Sequence, residues 1–340
     1  MGFDGVNLSE IAERLNISIS TVSRAIRNLK GVHPATRNKV VEVAREMGYG
    51  KTLEDEHTGR TILVLAQTSG GGEVQDYLSG ISRAAVGANV SVLTHCLPLE
   101  RCEELLDPKM QPPALRCGQV DGIIFLFKWP DSVVAKLEQS FPVVSMVHEY
   151  NVGPMDRVGI DHQYCMNILI DHLVELGHQR IGFFGLCPEV SWSCSRYSAY
   201  IESLVRRNYD VNLNFTTRLG FSELMSVSLV DVGHVVSGLK KNMAEGMTAV
   251  VCSGDMPGYS LMETLLSEGI RIPQDLSITG FHAAPPQNGL PELTTVSISS
   301  EEMGVTILRR MVRRLENPVE SLRTILHPCR LRIGATTSAQ

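Results

Sequence analysis

Ser18, Ser20, Thr21, Ser23 and Arg24 crowd together in the stretch ISISTVSRAIRN, with Asn28 at its end. Hydroxyls, an amide and a guanidinium are hydrogen-bonding groups, suited to holding phosphates and base edges rather than to breaking bonds. Nothing elsewhere supplies a bond-breaking set: GxSxG, HExxH, the P-loop and GxGxxG are all missing. The eight cysteines are scattered, without a CxxC pair or metal-ligand spacing, and read as reduced, buried thiols. The expectation is a binding protein: no catalytic residues, no metal ligands, no cofactor. One further loop has chemical interest. Thr68, Ser69, Gly70, Gly71 and Gly72 follow an apolar strand and precede a helix. Its backbone N–H groups either cradle an anion or belong to a plain flexible loop.

The elements that carry the hydroxyl-rich stretch are short helices. Leu8, Ile11, Ala12 and Leu15 recur at helical spacing, with Asn7 as N-cap and Glu10 three residues on completing a capping box. Asn16 suits the left-handed end of that helix. Ser18 then caps a second helix that turns Val22, Ala25 and Ile26 inward. Two short helices around a tight turn, the second dense in Ser, Thr and Arg, read as a helix-turn-helix. A third helix begins near Pro34, buries Val40, Val43, Ala44 and Met47, and ends at Gly48.

The series ISISTVSRAIRN, VHPATRNKVVEVAREMGY, VDGIIFLF, PVVSMV, VGIDH, HLVELGHQRIGFFG, TAVVCSGD, GIRIPQDLSITGF and LTTVSISSEEMG resembles the LacI family of bacterial transcription regulators, along nearly the whole chain. The resemblance implies a small all-α helix-turn-helix headpiece followed by an α/β part: two Rossmann-like subdomains with parallel sheets, like a periplasmic binding protein. On the family pattern Ile19, Ser20 and Arg24 face the bases. Ile19 suits a thymine methyl, Ser20 donates or accepts, and Arg24 binds guanine bidentately or holds a phosphate. Ser18, Thr21, Ser23 and Asn28 are the expected phosphate contacts.

The expected layout is a DNA-binding domain over 1–50, a short acidic linker over 51–60, and an effector and dimerisation domain over 61–338. Subdomain N takes 61–157 and 292–318, and subdomain C takes 158–291 and 319–338. Strand-length apolar runs alternating with helical stretches support the parallel sheets. The linker departs from the family. It is shorter and carries Glu54, Asp55 and Glu56, which the negative minor groove would repel, so the usual hinge helix is doubtful. The dimer surface, by analogy, includes the helix near Tyr77–Ala85 and a face of the second subdomain.

The resemblance also implies an effector cleft between the subdomains. Arg196 matches the family arginine that clamps hydroxyls or a carboxylate. Asp255 opens a helix after a strand, as N-cap or ligand contact. His282 stands where the family carries Asp, His148 where it carries Arg, and Asp161-His162 resembles its Asp-Asn. Ser69 lies in the loop that usually holds an aromatic, and Trp192 supplies a stacking surface instead. Three histidines near one cleft imply an altered ligand, such as an anionic one, or a degenerate pocket.

Net charge is −6, yet residues 1–51 hold eight Lys/Arg against five acids, while the remainder holds 23 against 32. A basic headpiece on an acidic body fits local phosphate binding. The start MGFDG lacks the basic and apolar regions of a signal peptide, and no apolar run has membrane-spanning length, so a cytoplasmic location is expected. The function expected is a sequence-specific DNA-binding transcription regulator, a homodimeric repressor of carbohydrate or related catabolic genes. Its expected partners are double-stranded operator DNA and a small-molecule effector, a sugar or sugar derivative, with no membrane. The alternatives are a ligand-independent regulator with a degenerate pocket, and a two-lobed sugar-binding protein without a DNA role.

Overall fold

The computed structural model describes residues 8–26, 32–47, 59–68 and 71–340. Helices α1 (Leu8–Leu15), α2 (Ile19–Ile26) and α3 (Pro34–Glu46) form where the apolar periodicity places them. Asn16 ends α1 with φ 52°, and the Ile17 N–H closes back on the Ala12 carbonyl at 3.1 Å. Ile11, Ala12, Val22, Ala25, Val40 and Ala44 pack together as the headpiece core, with Leu8, Leu15, Ile26, Val43 and Met47 around them. Asn7, Asn28, Gly48 and the acidic residues 54–56 lie outside the described residues, and with them the question of a hinge helix.

The first lobe is built on a parallel sheet. Its strands are β1 (Arg60–Gln67), β2 (Val90–Leu97), β3 (Gly122–Phe125), β4 (Val143–Met146), β5 (Asp156–Ile160) and β11 (Thr324–His327), in the order β11-β5-β4-β3-β1-β2. Ile62 to Ala66 are buried without interruption, as a strand covered on both faces requires. One face is covered by helices α4 (Gly71–Ala88) and α10 (Ser300–Glu316). They meet at two glycines. A Cβ on Gly80 would stand 1.9 Å from the Glu301 carbonyl oxygen, and one on Gly304 2.2 Å from that of Tyr77. Tyr77, Ile81 and Ala85 are buried in the lobe's own core, so the inward face of α4 packs on the sheet. On the other face lies helix α5 (Asp131–Glu138), over Phe125 and Trp129.

The second lobe has a parallel sheet ordered β7-β6-β8-β9, from β6 (Ile181–Leu186), β7 (Thr216–Arg218), β8 (Ala249–Cys252) and β9 (Ser277–Thr279). Adjacent residues of β6 serve opposite faces. Phe183 packs with helices α6 (His162–Glu175) and α7 (Ser191–Arg206), Phe184 with α8 (Val236–Ala244) and α9 (Asp255–Ser267).

The subdomain boundaries read from sequence need correction. Asp156–Ile160 pairs with β4 and β11, so it completes the first sheet instead of opening the second lobe. The stretch 324–332, within the range assigned to subdomain C, forms two strands divided at Pro328-Cys329. Thr324–His327 joins the first sheet, while β12 (Arg330–Arg332) pairs antiparallel with β10 (Thr295–Ser297) at the hinge. Proline lacks the N–H a continuous ladder needs. A buried ion cluster fixes the join. Asp156, 0% exposed, accepts from Arg314 Nε at 2.7 Å and the Arg323 N–H at 2.8 Å, and is ion-paired with Arg310, whose Nε lies 2.8 Å away. This ties α10 and the approach to β11 onto β5.

The final residues return along the second lobe. The Ile278 N–H donates to the Thr336 carbonyl at 2.8 Å, and the Gln340 N–H to that of Leu176 at 3.0 Å. His178 holds Thr248 through Nδ1 at 2.9 Å and the Ser338 carbonyl through Nε2 at 3.1 Å, while His172 meets Thr337 at 3.0 Å. Among the described residues no helix is long and apolar enough to cross a membrane.

Candidate DNA-reading surface and effector cleft

Helix α2 begins because Ser18 caps it: its Oγ accepts from the Thr21 N–H at 3.2 Å, and meets the Ser20 and Thr21 hydroxyls at 2.8 Å each. Burying Val22 and Ala25 turns the opposite side outward. Ile19, Ser20 and Arg24 are exposed there, Ile19 at 50%. Thr21 and Ser23 are half-buried beside them. The three residues expected to read bases therefore share one open face. Ser18 is first a helix cap.

The two lobes face each other across a cavity of about 950 Å³. That is near the upper end of small-molecule pockets, about 300–1,000 Å³. Arg196, on α7, is its centre. The guanidinium carbon lies 3.7 Å from the Phe281 ring centroid and 4.5 Å from that of Trp192, so it is clasped between two aromatic faces. Nη1 donates to the Ser253 carbonyl, and Nε points at His162 Nδ1, 3.5 Å away. Burial pulls the Arg196 pKa down to about 10, which still leaves the side chain charged at neutral pH. His162 backs this arrangement, its ring 5.9 Å from Phe281. Burial first, and the Arg196 charge second, depress its pKa to about 2, so it is a neutral acceptor.

Asp255 opens α9, but its carboxylate is committed. It accepts from Thr295 Oγ1 at 2.7 Å and from the Ala284 N–H at 2.6 Å, joining α9 to the hinge. Burial raises its pKa against those donors. Gly280 makes the room, since a Cβ there would stand 2.0 Å from Asp255 Oδ1. Asp255 thus lines the cavity as a brace, and Gly254 holds the N-cap position. His148 lines the opposite wall, buried, its pKa lowered to about 3 by burial and then by Lys128. Trp192 and His282 also line the cavity.

Two expectations fail here. Asp161 caps α6, accepting from the Tyr164 N–H at 2.9 Å, and is not among the cavity residues. The glycine-rich loop was expected either to cradle an anion or to be plain loop; in fact Gly71 and Gly72 begin α4, whose first turn carries Glu73. A carboxylate already occupies the positive end of that helix and repels a second anion. Ser69 lies outside the described residues.

Sequence reasoning missed Glu73. Its Oε1 lies 2.6 Å from His282 Nε2. Burial alone would raise its pKa, but the His282 contact and the Arg196 charge prevail and lower it. The available signal was an acid just past a strand end, where open sheets place ligand contacts. Phe281 was also missed, although the glycine before it was in plain view. Four non-glycine residues with positive φ line the same cavity: Phe127 (67°), Val147 (65°), His282 (124°) and Ala283 (60°). Strained backbone of this kind gathers at functional sites.

Comparison with known proteins agrees with both halves. Residues 7–51 match the family described as bacterial regulatory proteins, lacI family, and residues 170–337 match the periplasmic binding protein-like domain. The chain is similar to the HTH-type transcriptional repressor CytR of Escherichia coli strain K12, at 25% identity over 98% of this chain and 96% of the relative. It is also similar to the repressor PurR of Klebsiella pneumoniae, at 23% identity over 94% of each. Among solved structures, a lac repressor dimer bound to operator and the anti-inducer ONPF aligns with TM-score 0.66 at 20% identity, covering 99% of this chain and 100% of that one. A complex of the regulator CelR with cellobiose aligns with TM-score 0.65 at 21% identity, covering 97% and 99%. These structural likenesses establish the fold. Headpiece, cleft and sequence relatives together show a helix-turn-helix domain of the lacI family of bacterial regulatory proteins joined to a periplasmic-binding-protein-like domain, the arrangement of the repressors it is similar to.

Proposed function

We propose that the protein is a ligand-responsive, DNA-binding transcription regulator: a homodimeric repressor that acts in the cytoplasm on operator DNA. The observation that carries this reading is the pairing, in one chain, of the open Ile19–Ser20–Arg24 face with a cleft built around a buried arginine. The relatives CytR and PurR are named as repressors, and none of the chemistry here is catalytic. Two headpieces in a dimer read the halves of a near-palindromic site. A ligand that binds one arrangement of the lobes better than another changes operator affinity by the same factor that operator changes ligand affinity.

The effector proposed is a sugar or sugar derivative, held without a cofactor. Aromatic faces beside carboxylates, histidines and an arginine suit a ring bearing hydroxyls. Glu73 at the helix start argues against a strongly anionic ligand. The test is selection of bound fragments from genomic DNA, then footprinting with and without a panel of sugars, amino sugars and sugar acids. A symmetric footprint whose affinity one compound shifts is the expected result. Failure to retain any DNA at low salt would overturn the regulator reading.

A further inference from the structure

We infer that Glu73 and His282 form a latch that holds the two lobes together across the cleft, and that the effector enters by taking the imidazole's place on Glu73. Glu73 belongs to α4 of the first lobe, His282 to the loop after β9 of the second. Their 2.6 Å contact spans the cavity that both residues line. Among the described residues no other side-chain hydrogen bond or ion pair joins the lobes away from the hinge. Contacts that tie hinge segments, such as Arg332 to Glu292 at 2.7 Å, do not cross the cleft.

Three features of His282 fit a group held under load rather than one at rest. Its backbone has φ 124°, outside the range non-glycine residues favour, and Ala283 follows at φ 60°. Its amide is fixed to the Val296 carbonyl at 2.9 Å, which anchors the loop to the hinge. Its Nδ1 is buried without a hydrogen-bond partner among the described residues. The ring is therefore positioned by the one bond its Nε2 makes with Glu73. A ligand hydroxyl or amine donating to Glu73 satisfies the carboxylate equally well, which lets His282 withdraw with its loop and hinge strand. The latch depends on cleft geometry alone; its regulatory consequence rests on the function proposed above.

Trp192 supplies a readout that needs neither operator nor effector. It lines the cleft beside Arg196, whereas Trp129, the other tryptophan in the chain, is 0% exposed. Acrylamide quenching and small-angle scattering of the full-length protein are measured for wild type, Glu73→Gln, His282→Gln, and the exchanged pair Glu73→His with His282→Glu. Each single substitution is expected to raise the quenching constant, red-shift the emission and increase the radius of gyration. The exchanged pair is expected to return all three towards wild type. Unchanged quenching and radius in both single variants would overturn the latch. So would effects of the two single changes that simply add in the exchanged pair, since uncoupled residues behave that way. Far-UV circular dichroism separates opening from unfolding in every variant. No DNA is involved, so a negative result here leaves the regulator reading standing, and loss of DNA binding leaves the latch standing.

Discussion

Arg24 stands exposed on α2 while Arg196 is buried between two rings, and the same side chain does different work in each place. Arg24 has no ion-pair partner among the described residues, so its five donors are available to DNA. Arg24→Ala is expected to weaken operator binding by about 1–3 kcal/mol, roughly 5- to 150-fold, in a gel-shift titration. An unchanged affinity would remove it from the reading face. Arg196 is already engaged with Ser253 and with both rings. Arg196→Lys keeps a charge but loses the planar fork that the aromatic faces clasp. It is expected to abolish the thermal shift that the effector gives the wild-type protein while leaving DNA affinity without effector largely intact. Both arginines were legible in the sequence because each sits in a recognisable stretch. Glu73 was not, because its partner is remote in the chain and only the closed fold brings them together.

At the scale of elements, the helices of the headpiece and most strands could be read directly, since periodicity reports which face is buried. What periodicity does not report is the sheet a short strand will join. Asp156–Ile160 and Thr324–His327 look like any buried parallel strands, and their membership is decided by Asp156 gripping Arg310 and Arg314. The crossing of α4 and α10 is similarly invisible, although Gly80 and Gly304 were both in sight. Gly304→Ala is expected to force the helices apart and cost about 1–3 kcal/mol, as overpacking of a tight contact does. A urea titration compares it with Gly87→Ala on α4, where a Cβ would meet nothing within 4 Å and the added methyl should not destabilise. Equal stability of the two variants would mean the crossing relaxes freely.

Taken whole, the molecule contains several histidines that folding keeps neutral. Burial lowers the pKa of His148, His162, His172 and His178. Above pH about 6.5 these groups are uncharged in both folded and unfolded chains. Below it, the unfolded chain takes up protons that the folded chain refuses, so stability falls as pH falls. From pH 7 to pH 5 the loss is expected to reach at least about 2 kcal/mol in urea unfolding, at about 1.4 kcal/mol per pH unit for one such group. A flat profile across that window would mean these histidines accept protons without unfolding. Asp156 acts at lower pH and in a different manner. Burial opposes its charge, but Arg314 and Arg310 hold its pKa below the usual carboxylate range. Asp156→Ala leaves buried Arg314 with carbonyl partners alone among the described residues and Arg310 with Glu320 as its acidic partner, and is expected to cost about 3–5 kcal/mol.

The closing segment of the chain has a practical consequence. By bonding to Ile278, Thr336 shields the outer border of the second lobe's sheet, where β9 would otherwise offer bare amides to a neighbouring molecule. Trimming by a carboxypeptidase as far as Gly334 would strip that shield, and the shortened product should come off a sizing column as aggregate while the intact chain does not. Fusions and affinity tags are therefore better appended beyond Gln340 than substituted for the residues before it.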